Sequence, residues 1–309
     1  MLANFLNKSK PINFIGLLVL FFLGFVFTLI STLFENGFHL NILLKSIFLS
    51  LLFLIIFFFY NFIVSKNKLT KDNSLGFFLL TLLFFSILPS LLNYDILLLM
   101  VINLLFLRKI YSLQSPNRVL EKLFDSGFWL GIFFILQPSS IVFIFLIYFA
   151  IFIHHKITVH TILVPLVGFC VPLLLHFTYF FWTKDTAVFT SLFNFDINFS
   201  AAFYFNKTYY GFTLALLSFT ILAIIVKSIR TLTINNTFRR SWVLLMLHFL
   251  ITCVYLIFAP EKNGASLLFL FFPVSIILTN GIQLIKKRLF RNIVLYIILL
   301  SCILFYTTL

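Results

Sequence analysis

A polytopic bundle of transmembrane α-helices is the fold class this chain predicts, and three observations predict it. Hydrophobic residues make up 62% of the 309 and charged ones only 10%, where soluble domains hold roughly 45–50% and 25%. Mean hydropathy is +1.15, so a water-soluble fold would expose more apolar surface than water tolerates. Runs of about 18 or more apolar residues recur along the whole length, as helices that cross a bilayer require. The chain reads as one integral membrane domain over residues 1–309 with about eleven helical segments, and its partner is the lipid bilayer.

The first span covers about Pro11–Phe34, behind a basic flank, and its apolar run is too long for a signal peptide. It is expected to stay in the mature protein. Ile42–Val64 follows, then Ser74–Leu92 and Tyr94–Leu107, separated by Pro89 and the polar group Asn93, Tyr94 and Asp95. Later spans are about Ile162–Trp182, Tyr209–Val226, Trp242–Ala259, Ser266–Ile285 and Phe290–Leu309. The longest outer loop is about 183–208.

Gly127 to Ile153 is harder to assign. As one helix it would be about 40 Å long, more than the roughly 30 Å hydrocarbon core. Gln137-Pro138-Ser139-Ser140 interrupts it, leaving two limbs that are each short for a full crossing. Charge decides. With the N-terminus in the cytoplasm and this segment a hairpin returning to its starting side, 18 of the 22 basic residues fall in cytoplasmic loops. As a single span it would split them 12 to 10. Cationic loops resist translocation, so the hairpin is expected, with the C-terminus in the periplasm. It is either two thin crossings or a half-membrane re-entrant pair, and in the second case Gln137, Ser139 and Ser140 need protein or a wet cavity around them. The net charge of +14 follows from topology and calls for no nucleic-acid partner.

Chemistry-bearing residues are sparse. Asp125 precedes Ser126-Gly127 and an apolar run, which makes a helix N-cap its expected role. Gly127 and Gly131 have the small-residue spacing that lets backbones approach, and are read as a packing face of the hairpin. On the outer side lie Glu35, Asp95, Asp185, Asp196 and Glu261; Glu35 and Asp196 are the candidates for a catalytic acid. Phe189 and Phe193 stand four apart in the long outer loop, suiting a short interfacial helix. Three of the six histidines sit together in HHKITVH, and only His176 and His248 lie deep, so neither a metal site nor a cofactor is expected. Cys170, Cys253 and Cys302 are isolated within apolar segments. The 47 phenylalanines accompany heavy use of Ile, Leu, Asn and Lys, as an AT-rich genome would produce.

The stretches FIVSKNKLTKDNSLGFFLLTLLFFSILPSLL, LLLMVINLLFLRKIYSL, KLFDSGFWLGIFFILQPSSIVFIFLIYFAIF and LVPLVGFCVPLLLHFTYFFW resemble an uncharacterised family of integral membrane proteins of Bacteroidota, particularly flavobacteria. The resemblance is carried by about Phe62 to Trp182 and implies a bacterial inner membrane. A second resemblance is to the GT-C glycosyltransferases, which use polyprenyl-phosphate-linked sugars at the outer membrane face. Gly127, Gly131, Gln137-Pro138 and the basic HHK follow the order of elements in those enzymes, whereas the short first outer loop, ENGFHLN, departs from their long catalytic one. Three function classes follow: a GT-C-like glycosyltransferase acting with lipid-linked envelope glycans, with Glu35 or Asp196 as base; a non-catalytic scaffold among other envelope proteins; and a transporter of a lipidic substrate.

Overall fold

A computed structural model describes residues 2–34, 37, 39–194, 203, 207–231, 236–259 and 262–308. Among them the elements are helical throughout: α1 (Leu2–Phe5), α2 (Pro11–Thr32), α3 (Leu40–Lys66), α4 (Leu75–Ser86), α5 (Tyr94–Ser112), α6 (Val119–Leu136), α7 (Ile144–Ile153), α8 (Val159–Trp182), α9 (Thr186–Ser191), α10 (Lys207–Thr231), α11 (Asn236–Phe258), α12 (Leu268–Ile282) and α13 (Arg288–Thr308). Short 3-10 turns at Leu88–Leu91, Pro138–Phe143 and Gly264–Leu267 join or extend them. Seven helical stretches of the described chain are long and apolar enough to cross a membrane, which makes this a multi-pass helical membrane protein.

Contacts divide the chain into two compact units: residues 1–97, 201–235 and 263–309, and residues 98–200 and 236–262. The core of the first unit is α12 lying on α4. Neither helix has a polar face, and a helix apolar all round must be enclosed on all sides. Every residue of α12 except Gly281 is buried, and every residue of α4 except Phe85. Phe21, Phe25, Phe53, Phe57 and Phe84 interlock around α4, most ring pairs meeting edge to face at 5.0–5.4 Å. The lipid-facing sides of α2, α3, α10 and α13 carry exposed apolar residues such as Leu23, Phe58, Leu222 and Leu304.

Polar groups at depth hold these helices in register. Tyr60 Oη on α3 donates to the Gly76 carbonyl (3.1 Å) and pairs with Ser275 Oγ (2.9 Å). Asn280 Nδ2 donates to the carbonyl of Leu69 at 2.9 Å. In a low-dielectric core an unmade hydrogen bond is costly, so each such pair specifies its neighbour.

One end of this unit gathers most of its basic residues. Ser74 Oγ donates to the Lys8 carbonyl (3.1 Å), Ser9 donates to the Asp72 carboxylate, and Arg291 Nη2 donates to the Ala3 carbonyl (3.4 Å). Lys71 and Arg230 lie close enough to Lys227 to repel it. At the other end are aromatic contacts, with Phe212 stacked on Phe305 at 4.2 Å and Tyr209 against Phe305 at 5.6 Å.

The second unit contains the hairpin. The helix breaks at Gln137, in extended conformation (φ −147°, ψ 96°), because Pro138 offers no backbone N–H and disfavours a helical residue before it. The 3-10 turn Pro138–Phe143 brings Phe143 back to stack on Phe133 at 5.8 Å. The return is complete: Lys156 Nζ donates to the carbonyls of Leu113 (2.6 Å) and Ser115 (2.8 Å), so the loop after α7 meets the loop before α6. The first limb is longer than expected. It begins at Val119, not Gly127: Lys122 Nζ donates to the Ser112 carbonyl and the Ser115 hydroxyl, and Asp125 pairs with Lys109, so charged residues enter the helix with partners.

Candidate functional site

The hairpin residues are the first place to look for chemistry. Asp125 lies within α6, seven positions after the N-cap residue Arg118, so it does not cap the helix. Its carboxylate instead forms an ion pair with Lys109 of α5, both side chains partly exposed. Gly127 and Gly131 do not face the returning limb; they face α8. A Cβ on Gly127 would lie 2.0 Å from the Pro165 carbonyl oxygen, and one on Gly131 would lie 2.6 Å from that of Phe169. Gly168 of α8 answers with the same closeness, 2.2 Å from the Phe124 oxygen. The two backbones are in contact, which only glycines on both sides allow.

Gln137, Ser139 and Ser140 surround the break. Ser140 is fully buried and Ser139 nearly so; among the described residues neither hydroxyl, nor Gln137 Oε1, has a hydrogen-bond partner. The Ser140 N–H donates to the Gln137 carbonyl at 2.9 Å, closing the turn. Nearby on α11, His248 Nδ1 lies 3.0 Å from Tyr111 Oη, and Phe143 packs against both His248 and Tyr255. This is a polar seam inside an aromatic cluster.

The carboxylates expected on the outer side are only partly covered by the described residues. Glu35 and Asp196, the two catalytic candidates, and Glu261 lie outside those residues. Asp95 sits in the first turn of α5, its N–H donating to Asn93 Oδ1 at 3.0 Å. Asp185 precedes α9. Phe189 on that short helix turns back on Phe177 of α8 at 5.0 Å, while Phe193 is half exposed. No three histidine, cysteine or carboxylate side chains gather in a metal-binding group among the described residues.

Two features had no place in the sequence reading. His154, closing α7, is buried beside Lys156, Arg240 and His155; burial first, and those three charges next, push its pKa down to about 4. Burial likewise lowers the pKa of Lys156. The second feature is a cleft of about 420 Å³ at the basic end of the first unit, lined by Phe14, Tyr60, Lys68, Lys71, Asp72 and Phe77 among others. The signal for it was present as three lysines in SKNKLTKDN, but lysines between two spans read as orientation alone.

No curated protein matches the chain, and no solved structure matches it. Over residues 1–309 the chain belongs to DUF6427, a family of unknown function.

Proposed function

We propose that the protein is a multi-pass component of a bacterial inner membrane, N-terminus in the cytoplasm and C-terminus in the periplasm, serving as a non-catalytic scaffold or subunit of an envelope complex. The observation that carries this reading is the use of polar groups at depth in the first unit. Tyr60 is bonded to Gly76 and to Ser275, and Asn280 to Leu69. A transporter of a lipidic substrate needs such groups turned towards a path; here they join helices. The sidedness is supported within each unit by the gathering of basic loops at one end, which Lys156 on Ser115 typifies.

One observation favours an enzyme instead. The order of α6, the break at Gln137-Pro138, α7 and the basic loop after it parallels that in GT-C glycosyltransferases, whose donors are polyprenyl-phosphate-linked sugars. Glu35 or Asp196 would then be the base that activates an acceptor. Both readings meet in one experiment: profile envelope lipids and glycans in a deletion strain, then complement with a Glu35→Gln, Asp196→Asn double variant. A scaffold predicts that the double variant restores the profile as fully as the unaltered chain at equal membrane abundance. Failure to restore it at equal abundance overturns the scaffold and favours the enzyme.

A further inference from the structure

The cleft at the basic end of the first unit is built from four elements, the start of α4 supplying Gly76 and Phe77. The start of α2 supplies Phe14, the last turns of α3 supply Tyr60, Asn61 and Val64, and the loop between α3 and α4 closes it. That loop is held at several points. Asn67 caps α3 with its side-chain amide on the Ile63 carbonyl (2.8 Å), Lys68 takes the left-handed conformation (φ 49°), and the N–H of Leu69 reaches back to the Val64 carbonyl. Leu69 is buried and its carbonyl accepts from Asn280 of α12. At the far end, the Ser74 N–H donates to the Leu6 carbonyl and Asn73 Oδ1 accepts from the N–H of Leu75. A surface loop with this many fixed points presents its side chains in one arrangement.

What it presents has two characters. Towards water stand Lys68 and Lys71, both exposed, with Thr70 between them and Lys66 one turn away. The one carboxylate on the wall, Asp72, accepts from Ser9, and Lys8, Lys10, Lys227 and Arg230 belong to the same basic end. Towards the bilayer the wall is aromatic, Phe14 meeting Phe77 edge to face at 5.1 Å. On the same two helices Ile12, Ile15 and Phe58 are exposed by 60% or more, as lipid-facing side chains are.

We propose that this cleft binds the phosphate-bearing headgroup of an anionic membrane lipid, Lys68 and Lys71 holding the phosphate and Phe14 and Phe77 the glycerol and first methylenes. The volume suits a headgroup, and the position at the end of the spans is where headgroups lie. A soluble phosphate ester shares the charge but not the need for the apolar wall. The site requires only that the protein sits in a bilayer, whether or not it is catalytic.

The test uses the full chain purified in detergent and examined by native mass spectrometry with added phosphatidylglycerol, phosphatidylcholine or inorganic phosphate. Lys68→Asn keeps a residue that tolerates the left-handed backbone while removing the charge, and it is paired with Lys71→Gln. Retained phosphatidylglycerol is expected to fall about tenfold in this double variant, each lysine near a headgroup being worth a several-fold factor. A Lys286→Gln, Lys287→Gln variant, equal in charge removed but outside the cleft, is expected to retain lipid unchanged. Equal losses in both variants, or none in the first, overturn the proposal. Displacement of phosphatidylglycerol by inorganic phosphate at equal molarity overturns the lipid as the source of the phosphate. Matching thermal unfolding of all three proteins shows that each is folded.

Discussion

At the scale of single residues, the loop around Lys156 is where electrostatics acts most directly on this fold. Burial first, and then Lys156, Arg240 and His155 beside it, bring the pKa of His154 down to about 4, whereas in the unfolded chain it is near 6.5. The folded state therefore takes up the proton less readily, and linkage makes stability rise with pH between those values. The full contribution is present above about pH 6.5 and is lost as pH falls towards 4. Thermal unfolding in detergent should show a midpoint that is level above pH 6.5 and drops below it, and His154→Gln should flatten that drop. A wild-type midpoint independent of pH over this range would remove His154 from the account. Little of this was legible in sequence. HHKITVH shows three histidines in a basic loop, but only the fold shows that the first is enclosed while its neighbour His155 takes a left-handed conformation at the exposed helix end. Asp125 was misread for a related reason: its partner Lys109 is sixteen residues away on another helix, and without that partner a charge before an apolar run looks like a cap.

At the scale of elements, helix ends and helix contacts separate what sequence can and cannot show. The break at Gln137-Pro138 was legible because proline acts through local sterics. The partner of Gly127 and Gly131 was not, because small-residue spacing shows that a backbone approaches and not which one. Gly168 and the prolines at 165 and 172 carry the complementary signal on α8, and only the fold pairs them. Gly127→Ala would set a methyl against the Pro165 carbonyl and force α6 from α8. A loss of about 1–3 kcal/mol is expected, seen as a lowered unfolding midpoint, while Gly16→Ala on α2, where a Cβ meets nothing, should be neutral or slightly stabilising. Equal behaviour of the two variants would mean that the α6–α8 contact is looser than described. Three helices, α3, α7 and α8, are closed by a basic or histidine residue in the left-handed position, Lys68, His155 and Lys184. Each is followed by an N–H bonded five residues back, the geometry glycine usually serves. The two lysines there meet the negative end of the helix dipole, which offsets part of the backbone strain.

At the scale of the whole molecule, the polytopic helical architecture was readable from hydropathy, and the hairpin from the distribution of lysine and arginine, since both follow from what lipid excludes. The division into two compact units was not, because the first unit is assembled from three separate stretches of chain and periodicity carries no record of which stretches meet. The proposed topology has a direct check. A fluorescent reporter fused after Lys156 should be active in the cytoplasm, and alkaline phosphatase fused after Lys184 should be active in the periplasm; the opposite pair of results would mean that the segment from Gly127 to Ile153 crosses once. The burial of α12 also has a consequence for how the protein is made. The helices packed most closely on it, α4 and α10, both leave the ribosome before it. Until residues 268–282 arrive, α4 has no partner for its inner face, so nascent chains carry an open apolar slot through most of synthesis. Chains stalled before α12 are therefore expected to be substrates for membrane quality-control proteases, while completed chains are not.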